Sequence, residues 1–184
     1  MRAAAQLPIL LLLSSLAIPG WSQIEKQSPE AAACGINSNS PQDMIFARPF
    51  QGSWRRVTTK ALDQRPWSRV AQVWRSPMTA GTFVELEMLD DPEAGDWFQR
   101  VDYCFDRLNR LRRIDSRYNS FDQDSRLERF EFDTSGKVTK HSQQCVILDT
   151  EQSRPVDEGC KFSNPFPIPK RLSDLAFLKH SSRN

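Results

Sequence analysis

The sequence predicts an α+β or mainly β protein: an antiparallel β-meander of six or seven strands, forming a curved sheet or partial barrel with short N-terminal helices. Three observations predict it. A short hairpin pattern occurs twice between residues 97 and 148. Alternating apolar and polar residues flank both copies and recur further upstream. Four cysteines, an even count, follow an apolar leader, as in an exported chain stapled by disulfides.

The repeat aligns Tyr103-Cys104-Phe105-Asp106-Arg107-Leu108-Asn109-Arg110-Leu111 with Phe130-Glu131-Phe132-Asp133-Thr134-Ser135-Gly136-Lys137-Val138. Asp suits the first position of a type I turn, where its side chain caps the backbone. Asn or Gly suits the fourth, where φ turns positive. A type I turn followed by a left-handed residue joins two strands with a bulge. Val101, Tyr103 and Phe105 mark one outgoing strand, and Phe130 and Phe132 the other. Leu111 and Ile114 fall on opposite parities, which a bulge in the return strand would reconcile.

From the start of the chain, Arg2, the apolar block over residues 7–18 and Gly20-Trp21-Ser22 read as a secretory signal over residues 1–22. The block is too short to serve as a permanent membrane span, and no integral membrane segment is expected after signal removal. Residues 23–42 read as a loosely ordered leader, residues 43–179 as a single exported globular domain and residues 180–184 as a disordered tail. Removing the signal takes one Arg and lowers the formal charge from +2 to +1. That balance argues against nucleic acid or an anionic membrane as partner.

Ser40-Pro41-Gln42-Asp43 reads as a helix cap with Pro in the first turn, opening a short helix through Phe46. Phe50-Gln51-Gly52-Ser53-Trp54 resembles the Phe-x-Gly-x-Trp opening of lipocalins. That resemblance implies eight strands and later motifs that have no counterpart here, so a buried Trp is the favoured reading. Residues 70–75 and 82–89 form a hairpin around Ser76-Pro77. Asp90 to Asp96 is an acidic loop without the Asp/Asn alternation and terminal Glu of a calcium loop. Residues 149–155 are turn-rich, and Val156 reads as the start of a short return strand. Pro165, Pro167 and Pro169 alternate with Phe166 and Ile168 as an extended strap, and Ser173 caps a last helix over residues 174–178.

The expected disulfides are Cys145–Cys160 and Cys34–Cys104. Residues 145 and 160 are symmetric about the Gln152–Ser153 junction, so a chain doubling back there brings them together. The rival is Cys104–Cys145.

Chemistry-bearing residues are few. His141 and His180 are the two histidines, so a two-histidine metal site is not expected, and no cofactor is implied. No nucleophile elbow, zinc-protease helix, phosphate loop or dinucleotide motif occurs. Trp54, Trp74 and Trp97 are candidates to line a ligand cleft. Two functions compete. The first is a secreted or periplasmic, non-catalytic module that binds an apolar ligand, peptide or envelope protein through a concave face or an exposed edge. The second is a small secreted hydrolase using His141 with a carboxylate partner. The missing nucleophile motif favours the first.

Overall fold

A computed structural model describes residues 29–37, 39–64, 67–89, 97–120, 124–150, 152–156, 159–160 and 165–181. Residues 1–28, which include the expected signal, lie outside them, as do the acidic loop and residues 182–184. The described residues form one antiparallel sheet of nine strands: β1 (Gln42–Arg48), β2 (Arg55–Val57), β3 (Arg69–Arg75), β4 (Thr82–Leu89), β5 (Phe98–Phe105), β6 (Leu111–Asn119), β7 (Asp124–Phe132), β8 (Val138–Ile147) and β9 (Ser153–Arg154). Their order is β2-β1-β3-β4-β5-β6-β7-β8-β9, so the sheet is open, with β2 and β9 at its edges. Three short helices accompany it: α1 (Pro29–Ala33), α2 (Thr59–Leu62) and α3 (Ala176–Ser181).

The mainly β meander is as expected; the strand count is higher. Residues 42–48 form β1 rather than a capped helix. Met44, Ile45, Phe46 and Ala47 are apolar in succession because both faces of β1 are covered, and such a run has no period by which to tell strand from helix. The return strand β9 lies at residues 153–154, ahead of Val156.

The two hairpins share one construction. Asp106 Oδ1 accepts from the Leu108 and Arg110 N–H groups at 2.9 and 3.0 Å, and Asp133 Oδ1 accepts from Ser135 and Lys137 at 2.8 and 3.0 Å. Asn109 has φ 58° and Gly136 has φ 86°. Each return strand then bulges. The β5–β6 register jumps from Cys104↔Arg113 to Phe105↔Leu111, and the β7–β8 register from Glu131↔Lys140 to Phe132↔Val138.

Both faces of the sheet are covered on the β1–β5 side. On one, Phe46, Val73, Val84, Leu86, Tyr103 and Ile114 pack under Leu175 and Phe177 from the C-terminal segment. Leu172–Asp174 form a 3-10 turn ahead of α3. In the proline strap Phe166 packs on Phe130 at 6.2 Å, and the buried Tyr103 hydroxyl donates to the Pro167 carbonyl at 3.0 Å, whereas Ile168 stays exposed. On the opposite face, Trp74, Phe83 and Cys104 lie under Ala31 and Ile36, and Ile45, Ala47 and Val70 under Leu62 and Trp67. Each such fully buried large side chain contributes roughly 1.5–3 kcal/mol. Ala31, Cys34 and Ile36 of the leader thus pack as part of the core.

Cys34 joins Cys104, and Cys145 joins Cys160. The first bond fixes the leader over Trp74 and Phe83. The second is reached differently from the expected route. The chain turns early, with the Ile147 N–H donating to the Gln152 carbonyl at 3.0 Å and Arg154 opposite Cys145. Cys160 approaches from beyond β9, past Gly159, where an added Cβ would meet Cys145 Sγ at 2.7 Å. Such bonds belong to an oxidising, non-cytoplasmic compartment. No described helix is long and apolar enough to cross a membrane.

Candidate functional site

The sheet changes character along its strand order. From β6 onward fewer of the described residues are buried, and among the described residues β8 forms an open edge. β9 pairs only with Cys145 and Val146, so residues 138–144 have no described strand on their outer side. All seven of these residues are exposed. They are Val138, Thr139, Lys140, His141, Ser142, Gln143 and Gln144: polar apart from Val138, without Gly or Pro. An edge strand presents unpaired N–H and C=O groups that can pair with another strand. The opposite edge, β2, is only three residues long, and α3 packs beside it.

The structure does not gather the candidate aromatics into one cleft. Trp74 is buried beneath the leader, 5.5 Å from Phe83. Trp54 packs against Phe177 at 5.4 Å, and Trp97 against Tyr118 at 5.9 Å. The Phe-x-Gly-x-Trp segment is a bend between β1 and β2. A cavity of about 520 Å³ lies instead at the hairpin ends, lined by Arg112, Arg113, Glu131, Phe132, Asp133 and Thr139.

His141 lies on the open edge. Its ring stacks on Phe130, centroids 4.1 Å apart and planes at 12°. Its Nε2 is 3.2 Å from Gln143 Nε2 and 4.0 Å from Glu128 Oε1, an oxygen that also accepts from Arg126 at 2.7 Å. A carboxylate already engaged by Arg126 is a weak orienter for a general base. The side chain of His180 is outside the described set.

Sequence reasoning missed a polar row across the sheet, buried at its β3–β5 end. Gln72, Glu85, Asp102, Asp115 and Arg129 stand opposite one another across β3 to β7. Glu85 and Asp102 are buried. Arg100 bridges them, with Nη2 2.6 Å from Glu85 Oε2 and Nε 3.0 Å from Asp102 Oδ1. Asp115 takes Arg113 at 2.5 Å and Arg129 at 2.6 Å. Burial pushes the Glu85 carboxyl from its ordinary 4.5 up to about 8; Arg100 works against this and Asp102 adds to it. Burial likewise raises Glu87. The alternation Glu85-Leu86-Glu87 carries the signal for a polar row, but in a sequence it reads as a solvated face.

Asp124, Cys145 and Cys160 place three potential ligand atoms within 4.8 Å of one another. The two sulfurs are bonded to each other and offer no thiolate, while Arg154 pairs with the Asp124 carboxylate. This trio is a buried brace for the end of β8.

Compared with known proteins, the chain matches no family model, and neither a curated protein nor a solved structure is similar to it.

Proposed function

We propose that the protein is a non-catalytic interaction module, secreted or periplasmic after removal of residues 1–22, that accepts an extended strand along the open edge of β8. The observation carrying this reading is the exposed run over residues 138–144, with no described strand on its outer side, in a strand whose far end is fixed by Cys145–Cys160. Strand addition supplies affinity through main-chain hydrogen bonds and selectivity through alternate side chains. The edge is already extended and held in register by β7, so the ordering cost falls mainly on the incoming segment. Hydrogen exchange tests it. The disulfide-bonded protein is compared alone and with a pool of extended peptides. Slowed amide exchange centred on residues 138–144 supports the reading, and peptide binding that leaves those amides unchanged removes the edge as the site.

The hydrolase reading rests on the 4.0 Å approach of His141 to Glu128. It is the weaker of the two, because His141 stacks on Phe130 at an exposed edge and Glu128 is held by Arg126.

A further inference from the structure

We propose that the segment accepted by β8 is a protein strand carrying an acidic residue next to an aromatic one. This rests on the edge reading above and names its partner.

Two rows of side chains cross the sheet and stop at β8. On the face covered by the leader, Arg113, Glu131 and Lys140 stand opposite one another on β6, β7 and β8, so the charges run positive, negative, positive. Lys140 Nζ is 3.6 Å from Glu131 Oε1, yet its side chain is 63% exposed. A further strand would set its next residue beside Lys140. An acid there continues the alternation, whereas a base meets a like charge directly across the ladder.

The second row runs along the other face. Tyr103, Ile114, Phe130 and His141 stand opposite one another on β5 to β8. The His141 ring stacks on Phe130 on its inner side and is 39% exposed. An aromatic residue on the next strand covers that exposed ring and extends the apolar row.

Lys140 and His141 are adjacent in β8, so they face opposite sides of the sheet. The residues opposite them on an added strand are therefore adjacent as well. β7 already shows the arrangement from the inner side, with Glu131 opposite Lys140 and Phe130 opposite His141. The partner repeats on the outer side what β7 does on the inner. A second copy of this chain does not supply it by edge pairing. Residues 138–144 contain no acid, and neither does β2, Arg55-Arg56-Val57.

The test uses three eight-residue peptides of alternating Ser, Thr and Val with a central Phe-Glu, Phe-Lys or Ser-Gln. Each is titrated into the isotope-labelled, disulfide-bonded protein and followed by amide NMR. The Phe-Glu peptide is expected to shift residues 138–144 and to bind about fivefold more tightly than the Phe-Lys peptide. Lys140→Glu is expected to invert that preference and Lys140→Gln to erase it. Equal binding of all three peptides at residues 138–144 overturns the acid–aromatic requirement and leaves the edge reading standing. No shift at residues 138–144 with any peptide overturns both. Concentration-dependent shifts there without peptide, with a dimer in sedimentation, make a second copy the occupant and overturn the proposal.

Discussion

Leu111 and Ile114 face the same side of the sheet although they stand three positions apart in one strand. Strict alternation would place them on opposite faces. The bulge at Arg112 absorbs the extra residue, putting Leu111 opposite Phe105 and Ile114 opposite Tyr103. Both are buried in the core beneath the C-terminal segment. A one-residue slip would expose one of them, at a cost of roughly 1.5–3 kcal/mol. The turn that ends at Asn109 therefore sets the register of the central strands.

The second turn offers a clean test of the shared construction. Gly136 has φ 86°, and nothing lies within 4 Å of the place a Cβ would occupy. Any cost of a side chain there is thus backbone strain. Gly136→Val is expected to lower stability by about 1–2 kcal/mol, whereas Asn109→Gly, at a position already at φ 58°, is expected to be near neutral. Chemical denaturation of both variants measures this. A Gly136→Val loss no larger than that of Val at exposed Gln144 would contradict it.

The disulfides predict an order of stabilities. Cys145 and Cys160 are 15 residues apart and Cys34 and Cys104 are 70 apart. In the chain-entropy model the shorter loop contributes about 3 kcal/mol and the longer somewhat more. The longer bond also holds Ala31 and Ile36 over Trp74 and Phe83. Replacing Cys34 and Cys104 by Ala is expected to cost more than replacing Cys145 and Cys160, measured by denaturation of the two double variants. Non-reducing peptide maps of the parent protein should yield no peptide linking Cys104 to Cys145.

What the sequence made legible was local. Asp, Asn and Gly at fixed offsets announced both hairpins, because turn chemistry is read within four residues. The parity break between Leu111 and Ile114 announced a bulge. β1 was not legible, since a strand covered on both faces by α2 and Phe177 loses its period of two. The open edge of β8 was not legible either. It depends on where β9 stops, and that is decided by the early turn closed between Ile147 and Gln152 rather than by any residue among 138–144. The acidic row was hidden for a related reason: Glu85 and Asp102 lie 17 positions apart in sequence and become neighbours only through the β4–β5 register.

His141 separates the two functional readings. If the protein accepts a strand, His141→Ala leaves the fold intact and weakens binding modestly, because the backbone of β8 remains. If the protein is a hydrolase, the same change abolishes turnover by at least about a hundredfold, as expected on removing a general base. The matched measurement is peptide affinity and hydrolytic rate on one preparation of the variant, with folding checked by near-UV circular dichroism.

Glu85 predicts how stability depends on pH. Its carboxyl is buried, and its folded-state value is raised from 4.5 to about 8. The native state therefore holds a proton that the unfolded chain releases above about 4.5. The stabilisation is fully present below about 4.5, declines as pH rises, and is lost above about 8. Glu87, also raised by burial, acts in the same direction. Glu85→Gln keeps the size and the neutral polarity of the protonated acid but cannot ionise, while Asp102 still pairs with Arg100. The variant is expected to lose less stability than the parent between pH 5 and pH 8, and to exceed it at pH 8 by about 1 kcal/mol or more. Urea denaturation at pH 5, 6.5 and 8 checks this. Parallel stability profiles for the two proteins would mean that Glu85 ionises in the folded state as readily as in the unfolded chain, and that Arg100 fully offsets its burial.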